Sequence, residues 1–148
     1  MKIPFTKMHG AKNDFLLTMS EEMPAADPQE LAIAICDRHT GVGADGWMLL
    51  DRSGGEGFDA SIRLFNSDGS EPELSGNGTR CAAALLAIAE PGKTGFRIWT
   101  GAGIKQLRLI SRGEYEFQKW TSFPNGGLTP HIVTIGLAYH FAGKPRFK

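Results

Sequence analysis

Apolar and polar positions along this chain follow two periods, and together they predict several short strands and two helices. Residues 3–8 and 14–19 predict two strands, joined by the small, polar run His9-Gly10-Ala11-Lys12-Asn13. A helix is predicted from Asp27, a capping residue followed by Pro28 at the first helical position and by Glu30 at capping-box spacing. Leu31, Ile33, Ala34 and Ile35 supply its apolar side, and the glycines from Gly41 onward stop it. Gly46–Asp51 predicts a buried strand through Trp47, Met48, Leu49 and Leu50. Residues 58–66 alternate, with Phe58, Ala60, Ile62 and Leu64 on one face and Asp59, Ser61 and Arg63 on the other.

Ser67-Asp68-Gly69-Ser70 then predicts a turn. A second helix opens from Ser75-Gly76-Asn77-Gly78 and runs to about residue 89, where Pro91-Gly92 ends it. Its body is apolar on every side, the pattern of a helix enclosed by other elements. Residues 95–100, 104–110 and 114–118 predict three further strands. The fold class expected is α+β, with antiparallel strands wrapped around a central buried helix.

Composition narrows the function. The 148 residues fit one ordinary domain, and 41% apolar content is enough for a core. Sixteen Lys and Arg balance sixteen Asp and Glu, which argues against a dedicated nucleic-acid binder. The longest apolar run, residues 81–89, is too short to span a membrane, so no membrane partner is expected. The first five residues lack the pattern of a secretory signal. Cys36 and Cys81 form no C-x-x-C pair and no disulfide framework, which favours the cytoplasm. Glycine stands out at 19 of 148 residues, gathered in short clusters between apolar runs, as in a turn-rich globular domain.

Two glycine-rich segments invite chemistry. Gly41-Val42-Gly43-Ala44-Asp45-Gly46 matches G-x-G-x-x-G, but a dinucleotide site needs a strand before it and a helix after. Here the order is reversed, and a tight helix-to-strand connection is the better account. Ser75-Gly76-Asn77-Gly78-Thr79-Arg80 does feed a helix. Such a turn presents open backbone N–H groups at the positive end of the helix dipole, suited to a carboxylate or phosphate. A Ser/Asn helix cap with glycines for a sharp turn explains the same residues, and both readings stay open here. Asn13, Asp14 and Asn66 flank apolar runs and read, each alone, as turn residues. Cys36 and Cys81 lie inside apolar helical segments and read as inert core residues. His9, His39, His131 and His140 have no metal-ligand spacing, so no metal is expected.

Taken together, four blocks resemble the N-terminal half of the diaminopimelate epimerase family. They are residues 5–15 (FTKMHGAKNDF), 36–46 (CDRHTGVGADG), 63–70 (RLFNSDGS) and 73–81 (ELSGNGTRC). The resemblance implies one half of a two-domain fold, each half with strands round a central helix and the site in the cleft between. It implies cofactor-independent inversion at an amino-acid α-carbon, one cysteine thiolate removing the proton while a second thiol delivers one from the opposite face. The family's substrate is LL-diaminopimelate, converted to the meso form for lysine and peptidoglycan precursor synthesis. Asn13 and Asn66 match side chains that hold the substrate's distal end, and Gly76 and Asn77 match the turn that binds its α-carboxylate.

The match departs at two positions. Ser75 stands where the family has a catalytic cysteine, and Gly46 stands where many members have a substrate-contacting glutamine. A serine hydroxyl is far less acidic than a thiol and needs a neighbouring base, for which His9 and His39 are the candidates. Residues 1–118 are read as the epimerase-like N-terminal domain and 119–148 as a divergent or out-of-frame tail. A strand beginning Phe-Glu-Met-Asp is expected at Phe117, but the chain reads Gln118-Lys119-Trp120-Thr121. A frame shifted by two bases would spell Glu-Met-Asp there if the Gln118 codon ends in G and Lys119 is encoded AAA. The second domain is therefore expected to be missing, and a homodimer restoring two faces would offer two serines and no thiol. Three functions follow: an incomplete epimerase, weakly active or inactive; a related racemase or dehydratase using the hydroxyl in place of one cysteine; and a non-catalytic amino-acid-binding or interaction domain. All three take a small amino-acid ligand and no cofactor.

Overall fold

The computed structural model describes residues 3–108, together with the backbone of residues 118–120 and 131–132. The first two strands, β1 (Phe5–Gly10) and β2 (Asn13–Met19), form a tight hairpin with Gly10 opposite Asn13. Its two turn residues, Ala11 and Lys12, both have positive φ, 53° and 68°. That backbone matches the right-handed twist of the flanking strands and is unusual for residues carrying a side chain.

The chain leaves β2 through a single 3-10 turn (Ser20–Glu22) and enters α1 (Pro28–Cys36). Asp27 caps α1 as expected, accepting from Gln29 N. The buried face is turned from the one the pattern suggests. Ala32 and Cys36, four apart, are enclosed, Leu31 and Ile35 are half-buried, and Ile33 is 50% exposed. The strands β3 (Gly46–Asp51) and β4 (Ala60–Asn66) follow, then α2 (Gly76–Ala89), β5 (Gly95–Thr100) and β6 (Gly103–Arg108). Phe58 falls before β4 and stacks on Trp99, with ring centroids 6.1 Å apart, so it leaves the alternation predicted for it. Two short strands, β7 (Gln118–Trp120) and β8 (His131–Ile132), extend the sheet beyond β1. The rest of the predicted strand at 114–118, and most of the tail from 119, lie outside the described residues.

One sheet results, in the order β6-β5-β4-β3-β2-β1-β7-β8. The α+β class stands. The strands are not all antiparallel: β2 with β3 and β4 with β5 run parallel. The connections explain this, because α1 carries the chain from β2 to β3 and α2 carries it from β4 to β5. A helical crossover returns the chain to the same end of the sheet, as parallel neighbours require.

Each helix covers one face. Met8, Phe15, Leu17, Met48, Leu50 and Ile62 pack with Phe96, Ile98 and the buried side of α2. Phe5, Leu16, Trp47, Leu49 and Phe65 pack with Ala32 and Cys36 of α1. Central β3 contributes to both layers, which is why its apolar run does not alternate. Helix α2 is enclosed on several sides along Gly78, Thr79, Cys81, Ala82, Ala83, Ala84 and Leu86, and opens to solvent near its end at Ile88. Among the described residues, no helix is long and apolar enough to cross a membrane.

Candidate active site

The end of the sheet where β1 stops and β2 and β3 start gathers the residues singled out by sequence. Gly10 closes β1, Asn13 opens β2, Gly46 opens β3, and Asn66, paired across from Gly46, closes β4. The start of α2 lies against the same end: a methyl group at Gly10 would stand 3.3 Å from Asn77 O and 3.4 Å from Asn77 Cβ. The loop into α2 is fixed from two sides. Arg63 donates to both carboxylate oxygens of Glu71 at 2.7 and 2.9 Å, and Ala102 N donates to Glu73 O at 3.2 Å.

At the start of α2, Ser75 is the N-cap in extended conformation, and its Oγ accepts from Gly78 N at 3.1 Å. Ser75 O accepts both the N–H and the hydroxyl of Thr79 at 2.8 Å. Gly76 and Asn77 supply the first two N–H groups of the helix, which have no intrahelical acceptor by construction. Gly76 is exposed, and a methyl group there would meet nothing within 4 Å. The turn is therefore a serine cap, and it leaves two open donors at the positive end of a 14-residue helix dipole.

Asn13 is held by a charged network that sequence reasoning missed. Its Nδ2 donates to Asp45 Oδ2 at 2.8 Å, and the same oxygen accepts Asp14 N at 3.0 Å. Asp45 N donates back to Asp14 Oδ1 at 3.0 Å. Arg38 spans both acids, donating to Asp14 at 2.7 and 3.2 Å and to Asp45 Oδ1 at 2.9 Å. Lys7 Nζ lies 3.2 Å from Asp14 Oδ2 and donates to Gly43 O at 2.6 Å. Burial alone would raise the Asp14 pKa, but hydrogen bonds from Arg38 and Lys7, with their charges, outweigh it and hold it down at about 2. These residues lie inside the matched blocks, yet Asp14 and Asp45 are 31 apart, and local sequence carries no sign of such a pairing.

Asn66 sits at the mouth of the following turn. Its Nδ2 donates to Ser70 Oγ at 2.9 Å, and Ser70 Oγ donates to Asp68 Oδ1 at 2.5 Å. Gly46 is pressed between strands: an added methyl would stand 2.9 Å from Phe65 O and 3.3 Å from both Leu64 Cδ1 and Phe15 Cδ1.

The segment from Gly41 to Gly46 joins a helix to a strand, as expected. Its N–H groups are spent on the end of α1: Gly41 donates to Asp37 O, Val42 and Gly43 to Ile35 O, and Ala44 to Cys36 O. No donors remain along Gly41–Ala44 to cradle a pyrophosphate. Both cysteines are free and buried. Burial, first among the causes, pushes each thiol up to about 12, so neither is a nucleophile at neutral pH. Neither His9 nor His39 hydrogen-bonds Ser75; the partner of the Ser75 hydroxyl is the backbone of its own helix. The site thus offers two N–H donors, two carboxamides and a weakly acidic hydroxyl.

The family model for diaminopimelate epimerase matches residues 5–119. Among curated relatives, diaminopimelate epimerase of Nostoc punctiforme is 47% identical over 118 residues, covering 76% of this chain and 42% of the relative. That of Microcystis aeruginosa is 48% identical over 116 residues, covering 74% of this chain and 40% of the relative. The chain therefore spans less than half the length of the relatives it matches. Among solved structures, a phenazine biosynthesis protein of the PhzF family from Bacillus anthracis superposes with a TM-score of 0.59 at 21% identity, over 80% of this chain and 40% of that one. A methylitaconate-delta-isomerase gives a TM-score of 0.55 at 15% identity, over 81% and 35%. These two likenesses concern the fold. The family is carried by the sequence matches, and the chain belongs to the diaminopimelate epimerase family.

Proposed function

We propose that this chain carries the N-terminal half of a cofactor-independent amino-acid epimerase site and binds a diaminopimelate-like substrate with little or no turnover of its own. The observation that supports this best is the convergence of the open Gly76 and Asn77 N–H groups with Asn13 and Asn66 at one end of the sheet. The two N–H groups are suited to the α-carboxylate, where negative charge builds as the α-proton leaves. The carboxamides of Asn13 and Asn66 are suited to the polar distal end. Free, buried thiols agree with a reducing compartment, and we place the protein in the cytoplasm on that ground.

Ser75 decides the turnover. It stands where the family's catalytic cysteine belongs, its Oγ caps α2, and no imidazole or carboxylate among the described residues hydrogen-bonds it. A hydroxyl in that setting has no route to the anion needed to take an α-proton. Cys81, six residues on, is sealed in the core and cannot replace it. The test is deuterium incorporation at the α-carbon of diaminopimelate in heavy water. The expected result is exchange no faster than with heat-denatured protein; exchange well above that control would show that the hydroxyl is activated by a group assigned no such role here.

A further inference from the structure

Each of the two carboxamides in the site has its orientation set by an acid. Asn13 Nδ2 faces Asp45 Oδ2 at 2.8 Å, and an ionised carboxylate only accepts, so the amide's nitrogen must be the atom on that side. Asn66 reaches the same result through a relay. Ser70 has one hydroxyl proton, and it goes to Asp68 Oδ1, which also accepts Ser70 N at 2.9 Å. Ser70 Oγ is then left with lone pairs alone towards Asn66, so Nδ2 of Asn66 must face it. Among the described residues neither Asn13 Oδ1 nor Asn66 Oδ1 accepts a hydrogen bond. Two amides that could each present either end to a ligand are thereby fixed with their carbonyl oxygens unpartnered and one N–H of each spent on the protein.

We propose that Asp45, and Asp68 acting through Ser70, are positioning residues that lock Asn13 and Asn66 with their carbonyl oxygens free, biasing the distal subsite toward a ligand with an ammonium group. The proposal rests on the functional reading above, since it takes Asn13 and Asn66 as contacts to the distal end. The chemistry follows from the inventory of partners. An ammonium has donors only and is matched by carbonyl oxygens; a carboxylate has acceptors only and is matched by an amide's NH2. Each amide nitrogen spends one of its two donors on the protein, whereas each carbonyl oxygen keeps its full accepting capacity, so the cation is favoured.

The experiment compares two probes on the isotope-labelled full chain by NMR titration: meso-diaminopimelate, and 2-aminopimelate, which keeps both carboxylates and lacks the distal ammonium. The expected result is diaminopimelate binding more tightly by about tenfold, the effect of one hydrogen bond to a charged group. Asp45→Ala removes the acceptor that holds Asn13 and is expected to shrink this ratio. Ser70→Ala, on the exposed turn, is expected to shrink it through Asn66 and serves if Asp45→Ala fails to fold. A general loosening of the site would weaken both probes alike and leave the ratio unchanged, so the ratio separates positioning from stability. An undiminished ratio in folded Asp45→Ala, or in Ser70→Ala, overturns the proposal. Equal affinity of the parent chain for both probes overturns it while leaving the carboxylate turn intact, whereas binding of neither overturns both readings.

Discussion

Ser75 has one task that the structure makes visible, and we propose that it cannot perform a second, the removal of an α-proton. Its Oγ caps α2 through Gly78 N, and Ser75→Ala should cost about 1 kcal/mol of stability in a chemical denaturation curve. Ser75→Cys should place a thiol in the field of the helix N-terminus, with its pKa drawn below the ordinary ~8.5. The check is iodoacetamide labelling of the native chain at neutral pH. One fast-reacting thiol is expected in the variant and none in the parent, because Cys36 and Cys81 are buried and their thiols are pushed up to about 12. Equal labelling of both proteins would contradict the field at this position.

Asp14 makes a second residue-scale prediction. Its folded pKa, about 2, lies below the ordinary 3.8, so folding favours the ionised form. The stability it contributes, about 2 kcal/mol, is fully present above pH ~4 and is lost as the pH falls from there towards 2. Asp14→Asn should therefore lower the melting temperature at pH 7, and the gap to the parent should narrow between pH 4 and pH 2.5. A gap that stays constant would mean that the Arg38 and Lys7 pairings do not stabilise the folded state.

At the scale of elements, much was legible because it depends on local period and punctuation. The Asp27-Pro28 start of α1, the run in β3 and the Gly-rich start of α2 all lie where the pattern put them. What escaped depended on neighbours distant in sequence. The buried stripe of α1 runs through Ala32 and Cys36, which pack with Phe5, Leu16, Trp47, Leu49 and Phe65 of the sheet, while Ile33 lies at the edge beside the turn at Gly69. Parallel pairing of β2 with β3 follows from where α1 returns the chain, which no single strand encodes. Gly46, which the resemblance marks only as a departure, is a packing requirement here. Gly46→Ala should destabilise the chain by roughly 1–3 kcal/mol, as overpacking does, because Phe65 O is a rigid backbone atom 2.9 Å from the added carbon. Denaturation midpoints test this, and an unchanged midpoint would mean that β3 and β4 separate easily at that pair.

At the scale of the molecule, the fold places two unlike features together. The four motif blocks are spread from residue 5 to residue 81, yet they meet at one end of one sheet, under the start of one enclosed helix. The candidates Asn13, Asn66, Gly76 and Asn77 were legible as motifs, and the fold does bring them to that end. The acids and bases that hold them were not, since Lys7, Arg38 and Asp45 acquire a purpose only through contacts across the sheet. The chain matches 42% of the Nostoc punctiforme relative, and the inversion of an α-carbon needs a group on each side of it. On the proposed reading, this end of the sheet binds a ligand with little or no exchange of its own.

The Gly76 N–H gives the most direct test of that claim. Gly76 is the first residue of α2, preceded by Ser75 in extended backbone (φ −127°, ψ 119°), and proline is well tolerated at such a position. Gly76→Pro therefore deletes one of the two open donors while keeping the helix. Isotope-labelled chain titrated with meso-diaminopimelate should bind weakly, with a Kd of roughly 1 mM, and shift the amide resonance of Asn77. In Gly76→Pro the affinity should fall by about tenfold, the loss of one hydrogen bond to a carboxylate. Affinity unchanged in a folded Gly76→Pro chain, with Asn77 undisturbed by ligand, would place the carboxylate elsewhere and contradict the account.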